Sequence, residues 1–191
     1  MKVTKGEAGY IRKKKTTELV KVILEFGIVI ALFVTGYVTT KTRLNLLTLV
    51  AVLGCLPASK ALVGYLMLFP RKSLEEEKVK EIQKTGPHLT KAYDMIITSY
   101  EHVMPIDSIV IQGNSVCGYT KNDKIDLGCA ESYIKKTLIQ QHCEKVTVKI
   151  FREYPAFLSR VQALEALVGN GKEQDKTREE GMKHTILTLS M

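Results

Sequence analysis

Asp107, Asp123, Asp126, Glu131 and Cys129 are the side chains in the C-terminal half whose types could do chemistry. With Asp94, the four acids lie on or near a run of predicted strands and the loop that follows. Paired carboxylates can hold magnesium for phosphodiester hydrolysis. A restriction-type nuclease would also want an acid-x-Lys pair on a strand after an Asp-bearing strand. The strand VTVKIF offers Lys149 but no acid two residues before it. Helix caps and turns account for most of these acids without any catalysis. Cys129 sits near a predicted helix N-terminus, where the dipole favours thiolate. A nucleophile needs a base, however, and the sequence places none of His88, His102, His142 or His184 beside it. An ordinary packed thiol explains Cys129 as well.

Two further patterns fail on spacing. Cys117, Cys129, His142 and Cys143 have the composition of a zinc site. Yet Cys129 and Cys143 fall on one predicted helix, about 21 Å apart end to end, whereas a tetrahedral site gathers its ligands within a few ångströms. The GNGK at 169–172 looks like the end of a phosphate loop. That loop needs Gly six residues before the Lys and Ser or Thr after it, and Ala166 and Glu173 stand there instead. A helix stop accounts for the glycines. No metal or cofactor is therefore expected.

The elements that must position these residues begin with an anchor. Val22–Thr40 and Leu44–Phe69 are apolar on all sides, each long enough to cross a hydrocarbon core of about 30 Å. No small-residue cleavage site follows the first, so a signal peptide fits poorly. With Lys41, Thr42 and Arg43 as the only separation, the two helices must be antiparallel neighbours. Each carries one charge, Glu25 and Lys60. Both lie at nearly equal distance from the turn, so equal depth suggests a membrane ion pair, against separate snorkelling to the interface. Pro57 should bend the second helix. Gly54, Ala58, Ala61 and Gly64 on the second helix, with Gly27, Ala31 and Gly36 on the first, would allow close approach.

Charge follows the same division. The net charge is +8, and residues 1–70 hold ten basic side chains against Glu7, Glu18 and Glu25. The remaining 18 basic and 17 acidic residues nearly cancel. An excess beside apolar segments fits topology and anionic lipid better than nucleic acid. Arg12, Lys13, Lys14 and Lys15 before the first span, and Arg71, Lys72, Lys78, Lys80 and Lys84 after the second, put both termini in the cytoplasm of a two-span cell-membrane protein. Its four cysteines would then be reduced.

The expected division is a basic segment 1–21, a two-helix hairpin 22–69, a linker helix 70–86 and an α+β cytosolic domain 87–191. Within that domain the strands are 93–100, 106–112 and 115–120, with a hairpin turn at Gly113-Asn114. A helix over 126–143, the alternating strand 145–151, a helix opened by Pro155 and a final strand HTILTLS (184–190) complete the order β-β-β-α-β-α-β.

The stretch Thr42–Lys60, TRLNLLTLVAVLGCLPASK, resembles small bacterial two-helix membrane proteins of unknown function. Some of these carry the name O-linked GlcNAc transferase-like protein. That resemblance implies glycosyl transfer, but the chain has no Asp-x-Asp for a nucleotide-sugar metal and no helical repeat array. Two classes of function remain. One is a membrane-anchored cytosolic binding or scaffold module, with the bilayer and a second copy or another membrane protein as partners. The other is a membrane-tethered metal-dependent hydrolase or nuclease using the acids.

Overall fold

A computed structural model describes residues 4–41, 46–99, 102–141, 143, 145–169 and 175–190. The turn at 42–45, His142 and residues 170–172 of GNGK lie outside the described residues. The chain divides into two units: Ile11–Lys72, and Met1–Tyr10 together with Ser73–Met191.

The first unit consists of α1 (Tyr10–Thr40) and α2 (Leu46–Leu68). They are about 46 and 35 Å long at the usual helical rise, sufficient to cross a membrane by length and composition. They run antiparallel along a seam with coiled-coil spacing. On α1 the seam is Ile11, Lys15, Glu18, Val22, Glu25, Val29, Leu32 and Gly36; on α2 it is Leu47, Ala51, Gly54, Ala58, Ala61, Tyr65 and Leu68. All are buried or half-buried. Outside the seam the surface is mostly apolar and open, with Val38 68% and Leu46 76% exposed. Small residues on α2 set the approach: a Cβ on Gly54 would lie 3.1 Å from Val29 Cγ2, and one on Gly64 3.9 Å from Glu18 Oε2. On α1 the small-residue expectation holds only for Gly36, which is buried, while Gly27 and Ala31 point outward. At one end Lys15 Nζ donates to the Phe69 carbonyl at 2.7 Å and lies over its ring, a cation at a helix C-terminus. α2 continues through Pro57, and the Ser59 hydroxyl donates to the Cys55 carbonyl.

The second unit is an α/β layer structure. α3 (Glu76–Thr85) precedes a meander of β1 (Thr90–Thr98), β2 (Val103–Gln112) and β3 (Ser115–Tyr119). α4 (Leu127–Gln140) then crosses to β4 (Thr147–Phe151), which pairs parallel with β3. α5 (Tyr154–Gly169) and α6 (Lys176–Leu189) follow. The sheet order is β1-β2-β3-β4. Gln112 pairs with Ser115 around the two-residue turn at Gly113, whose φ is +52°, as the Gly-Asn pair predicts. One sheet face packs Ile97, Ile109, Ile111 and Ile150 against Ile134 and Leu138 of α4 and Met182 and Ile186 of α6. The other packs Tyr93, Val110 and Tyr119 against Ile82 of α3 and Phe157, Val161 and Leu164 of α5.

Three expectations are corrected. The segment 184–190 is not a strand: residues 184–189 are the last half of α6, and Ser190 is its C-cap. Its β-branched residues suit a strand locally, yet Glu179, Met182 and Ile186 recur at helical spacing and bury one face. Asp175 caps this helix by accepting from the Arg178 amide at 3.1 Å. The order is therefore β-β-β-α-β-α-α, preceded by α3. Secondly, α3 is no linker: Val79 and Ile82 are core residues. Thirdly, the first residues do not stand apart. The Tyr93 amide donates to the Gly6 carbonyl at 2.9 Å, and Lys5 Nζ donates to the Ser190 carbonyl at 2.9 Å. Gly6 and Ser190 thus each bridge to the outer edge of β1. The edge strand gains partners that sequence proximity did not suggest.

Candidate functional site

The acids singled out from sequence are dispersed by the fold, and each has a structural duty. Asp126 is the N-cap of α4, accepting from the Cys129 amide at 3.2 Å. That bond occupies the helix terminus that would have activated the Cys129 thiol. Glu131 reaches from α4 to the outer edge of β4, where it accepts from the Ile150 amide at 2.8 Å and lies 3.7 Å from Lys149 Nζ. Asp123 is exposed in the β3–α4 loop. Among the described residues, no three His, Cys, Asp or Glu side chains converge as metal ligands.

Asp107 has the most perturbed surroundings of these candidates. It lies on β2 directly across from Asp94 on β1, between the pairs Tyr93–Ser108 and Met95–Ile106. Burial pushes its carboxyl above the ordinary range, and nearby Asp94 pushes the same way. The Lys121 amide donates to Asp107 Oδ2 at 2.6 Å and pulls in the opposite direction. Lys121 Nζ pairs with Glu75 at 3.0 Å, and Glu75 also pairs with Lys78 at 3.1 Å. Lys78 Nζ lies over the Tyr154 ring, and the Tyr154 hydroxyl donates to Glu81 at 2.7 Å. The result is a chain of alternating charges that runs from β2 along α3 to α5.

The strand after the Asp107 strand is β3, not the β4 strand to which the nuclease spacing was first applied. At the end of β3 the sequence is Tyr119-Thr120-Lys121, so a tyrosine occupies the position the acid would need. Tyr119 is buried, 5.3 Å from the Tyr154 ring and 5.7 Å from the Phe157 ring, centroid to centroid. It belongs to the core. Burial pushes the Tyr93 phenol up to about 12, so it remains neutral.

Two buried carboxylates, Asp94 of the acid group and Glu179, have roles that the sequence does not show. Asp94 is 2% exposed and sits at φ +54°. Its Oδ2 accepts from the Gly9 amide at 2.8 Å, and its Oδ1 from the Leu74 amide at 2.9 Å. Gly9 immediately precedes α1 and Leu74 follows α2, so one side chain fastens both chain segments that border Ile11–Lys72. Glu179 is fully buried; it accepts from the Gly113 amide at 2.7 Å and the Thr90 hydroxyl at 2.8 Å, tying α6 to the β2–β3 turn. Nothing in the local text marks the role of either residue. Asp94 sits inside an apolar strand, and Glu179 lies in a segment that reads as a charged linker.

The expected Glu25–Lys60 pair is absent among the described residues. Interpolating between Lys15–Phe69, Glu18–Gly64 and Val29–Gly54, Glu25 is level with Ala58. Equal depth with Lys60 is nearly right, but azimuth is not. Ala58 is fully buried in the seam, and Lys60, two residues on, is turned about 200° away and exposed. Glu25 instead points into the seam, with one carboxylate oxygen buried and without a hydrogen-bond partner.

The chain matches no protein-family model, no curated protein and no solved structure.

Proposed function

We propose that this chain is a membrane-anchored binding module, with α1 and α2 crossing the bilayer as an antiparallel pair and the α/β unit engaging its partner from the cytoplasm. The observation that supports it is the outer surface of the helix pair. Leu24, Ile30, Val38, Leu46, Leu56 and Val63 are each more than half exposed. Such a surface is far larger than a monomeric soluble protein leaves in water, and lipid covers it at no cost to backbone hydrogen bonding. Lys13, with Arg12, Lys14 and Lys15 on the same first turns of α1, would meet anionic headgroups.

The competing hydrolase reading loses its support in the duties of the acids. Asp126 caps, Glu131 satisfies a strand edge, Asp94 clamps, and Tyr119 stands where the second acid of the Asp107 strand pair belongs. A binding module also needs no convergence of carboxylates.

Reporter fusions after Met191 and beside Lys41, with alkaline extraction of membranes, test the proposal. The C-terminal fusion should report cytoplasm, the Lys41 fusion the exterior, and the protein should remain in the pellet. A chain released by alkali, or a C-terminus reported outside, would refute the anchor or the orientation respectively.

A further inference from the structure

Beside the β1 edge, the loop after α3 and one face of α6 border an open cleft of about 580 Å³. Its lining includes His88, Lys91, Gln83, Lys176, Glu180 and Lys183. Lys176, Glu180 and Lys183 are spaced to share one helical face, adjacent to the buried Glu179–Met182–Ile186 stripe. Lys91 comes from β1, about ninety residues away in sequence. Folding therefore brings three lysines from two distant elements to the lining of one cleft.

Among the described residues the carboxylates beside the cleft are already engaged. Glu180 pairs with Lys183 at 3.4 Å, and Glu165 pairs with His88. Among the described residues neither Lys91 nor Lys176 has a carboxylate within ion-pair distance. The nearest polar contact of Lys91 Nζ is the Pro87 carbonyl at 3.5 Å. Burial lowers the Lys91 pKa, which marks an ammonium group partly withdrawn from water without full compensation. Lys91 and Lys176 thus add positive charge to the cleft beyond the Lys183–Glu180 pair, and an anion would offset it.

We propose that this cleft, lined by Lys91, Lys176 and Lys183, is a binding site for a phosphate-bearing ligand. The volume is that of a small-molecule pocket rather than of a single-ion site. The lysines act as point charges on phosphate oxygens, and the Gln83 amide offers hydrogen bonds to the rest of the ligand. Because Glu180 shares the cleft with the lysines, removing its charge should tighten the site. The cleft lies wholly within the α/β unit, and only the nanodisc format of its assay relies on the two apolar helices entering a bilayer, so a failure to incorporate refutes the anchor and not the site.

The same chemistry is offered by a soluble phosphate compound and by a lipid headgroup with a phosphate monoester, and two measurements on the full chain separate them. In the first, inorganic pyrophosphate is titrated calorimetrically into protein held in phosphatidylcholine nanodiscs. In the second, thermal stability is compared between phosphatidylcholine nanodiscs and nanodiscs containing phosphatidic acid. Each is repeated with K91A/K176A, K91R/K176R and E180Q. Saturable pyrophosphate binding, weakened about tenfold or more in K91A/K176A, retained in K91R/K176R and strengthened in E180Q, establishes the site for a soluble ligand. Stabilisation by phosphatidic acid that K91A/K176A loses, without pyrophosphate binding, establishes it for a headgroup. The wild-type comparison removes any equal contribution from the basic residues of α1. Absence of both effects overturns the proposal, as does an alanine double variant that folds and binds like wild type, or an arginine variant that loses binding as completely as the alanine one.

Discussion

Replacing Asp94 by alanine removes an acceptor from two backbone amides at once, those of Gly9 and Leu74. Each is a bond to a charged group in a site only 2% exposed, and such bonds contribute about 1.5–3 kcal/mol. The backbone separates alanine from glycine rather than from aspartate, because Asp94 carries the same Cβ. At φ +54° alanine suffers the left-handed clash of an ordinary L-residue, about 1–2 kcal/mol. The two lost bonds make D94A cost about 3–6 kcal/mol, a large share of the 5–15 kcal/mol that holds a domain. Glycine at the same position relieves the backbone but restores neither bond, so D94G should lie about 1–2 kcal/mol above D94A. Asparagine tolerates positive φ and keeps one acceptor oxygen, so D94N should be the mildest of the three. Urea unfolding of the full chain in detergent micelles, followed by tyrosine fluorescence because the chain has no tryptophan, gives the ranking Asn, Gly, Ala from most to least stable. The reasoning is refuted if D94A unfolds within about 1 kcal/mol of wild type, or if D94G is less stable than D94A.

The geometry of the helix pair predicts that E25L and K60L act independently: a double-mutant cycle in detergent should show a coupling below about 0.5 kcal/mol, and a larger one would mean that the two charges meet. G54L should destabilise the full chain by about 1–3 kcal/mol through overpacking against Val29, whereas G27L, where a Cβ meets nothing within 4 Å, should not; thermal unfolding of both variants in the same detergent checks the contrast, and equal losses would place the seam elsewhere. D107N tests the raised carboxyl of Asp107. A raised folded pKa gives stability that is complete below the ordinary carboxylate value and is lost as pH rises through the raised one. Relative to wild type, D107N should therefore gain stability as pH rises toward 7 and lose that advantage in acid; a disadvantage confined to neutral pH, read from melting temperatures between pH 4 and 7, would contradict the burial argument.

Much of the architecture follows from residue patterns alone. Two apolar stretches of spanning length, an alternating 145–151 in which Val146, Val148 and Ile150 face inward, the Gly113 turn and the Phe157–Val161–Leu164 stripe are local signals, and each appears where its periodicity places it. Local signals decide an element when propensity and burial agree. They failed where the two disagreed. At 184–190 a β-favouring composition was overruled by the helical spacing of Glu179, Met182 and Ile186, because burial of one face outweighs intrinsic preference. At Glu25 and Lys60 the count of residues gave depth, but rotation about the helix axis decided contact, and the Ala51–Ala58 seam fixed that rotation. The roles of Asp94, Glu131 and Glu179, and the gathering of Lys91 with Lys176 and Lys183, belong wholly to the tertiary structure. A carboxylate or an ammonium group carries no sign in its own sequence of which distant amide or charge it will meet; only the folded chain, by burying polar groups that must then be paired, assigns the partner.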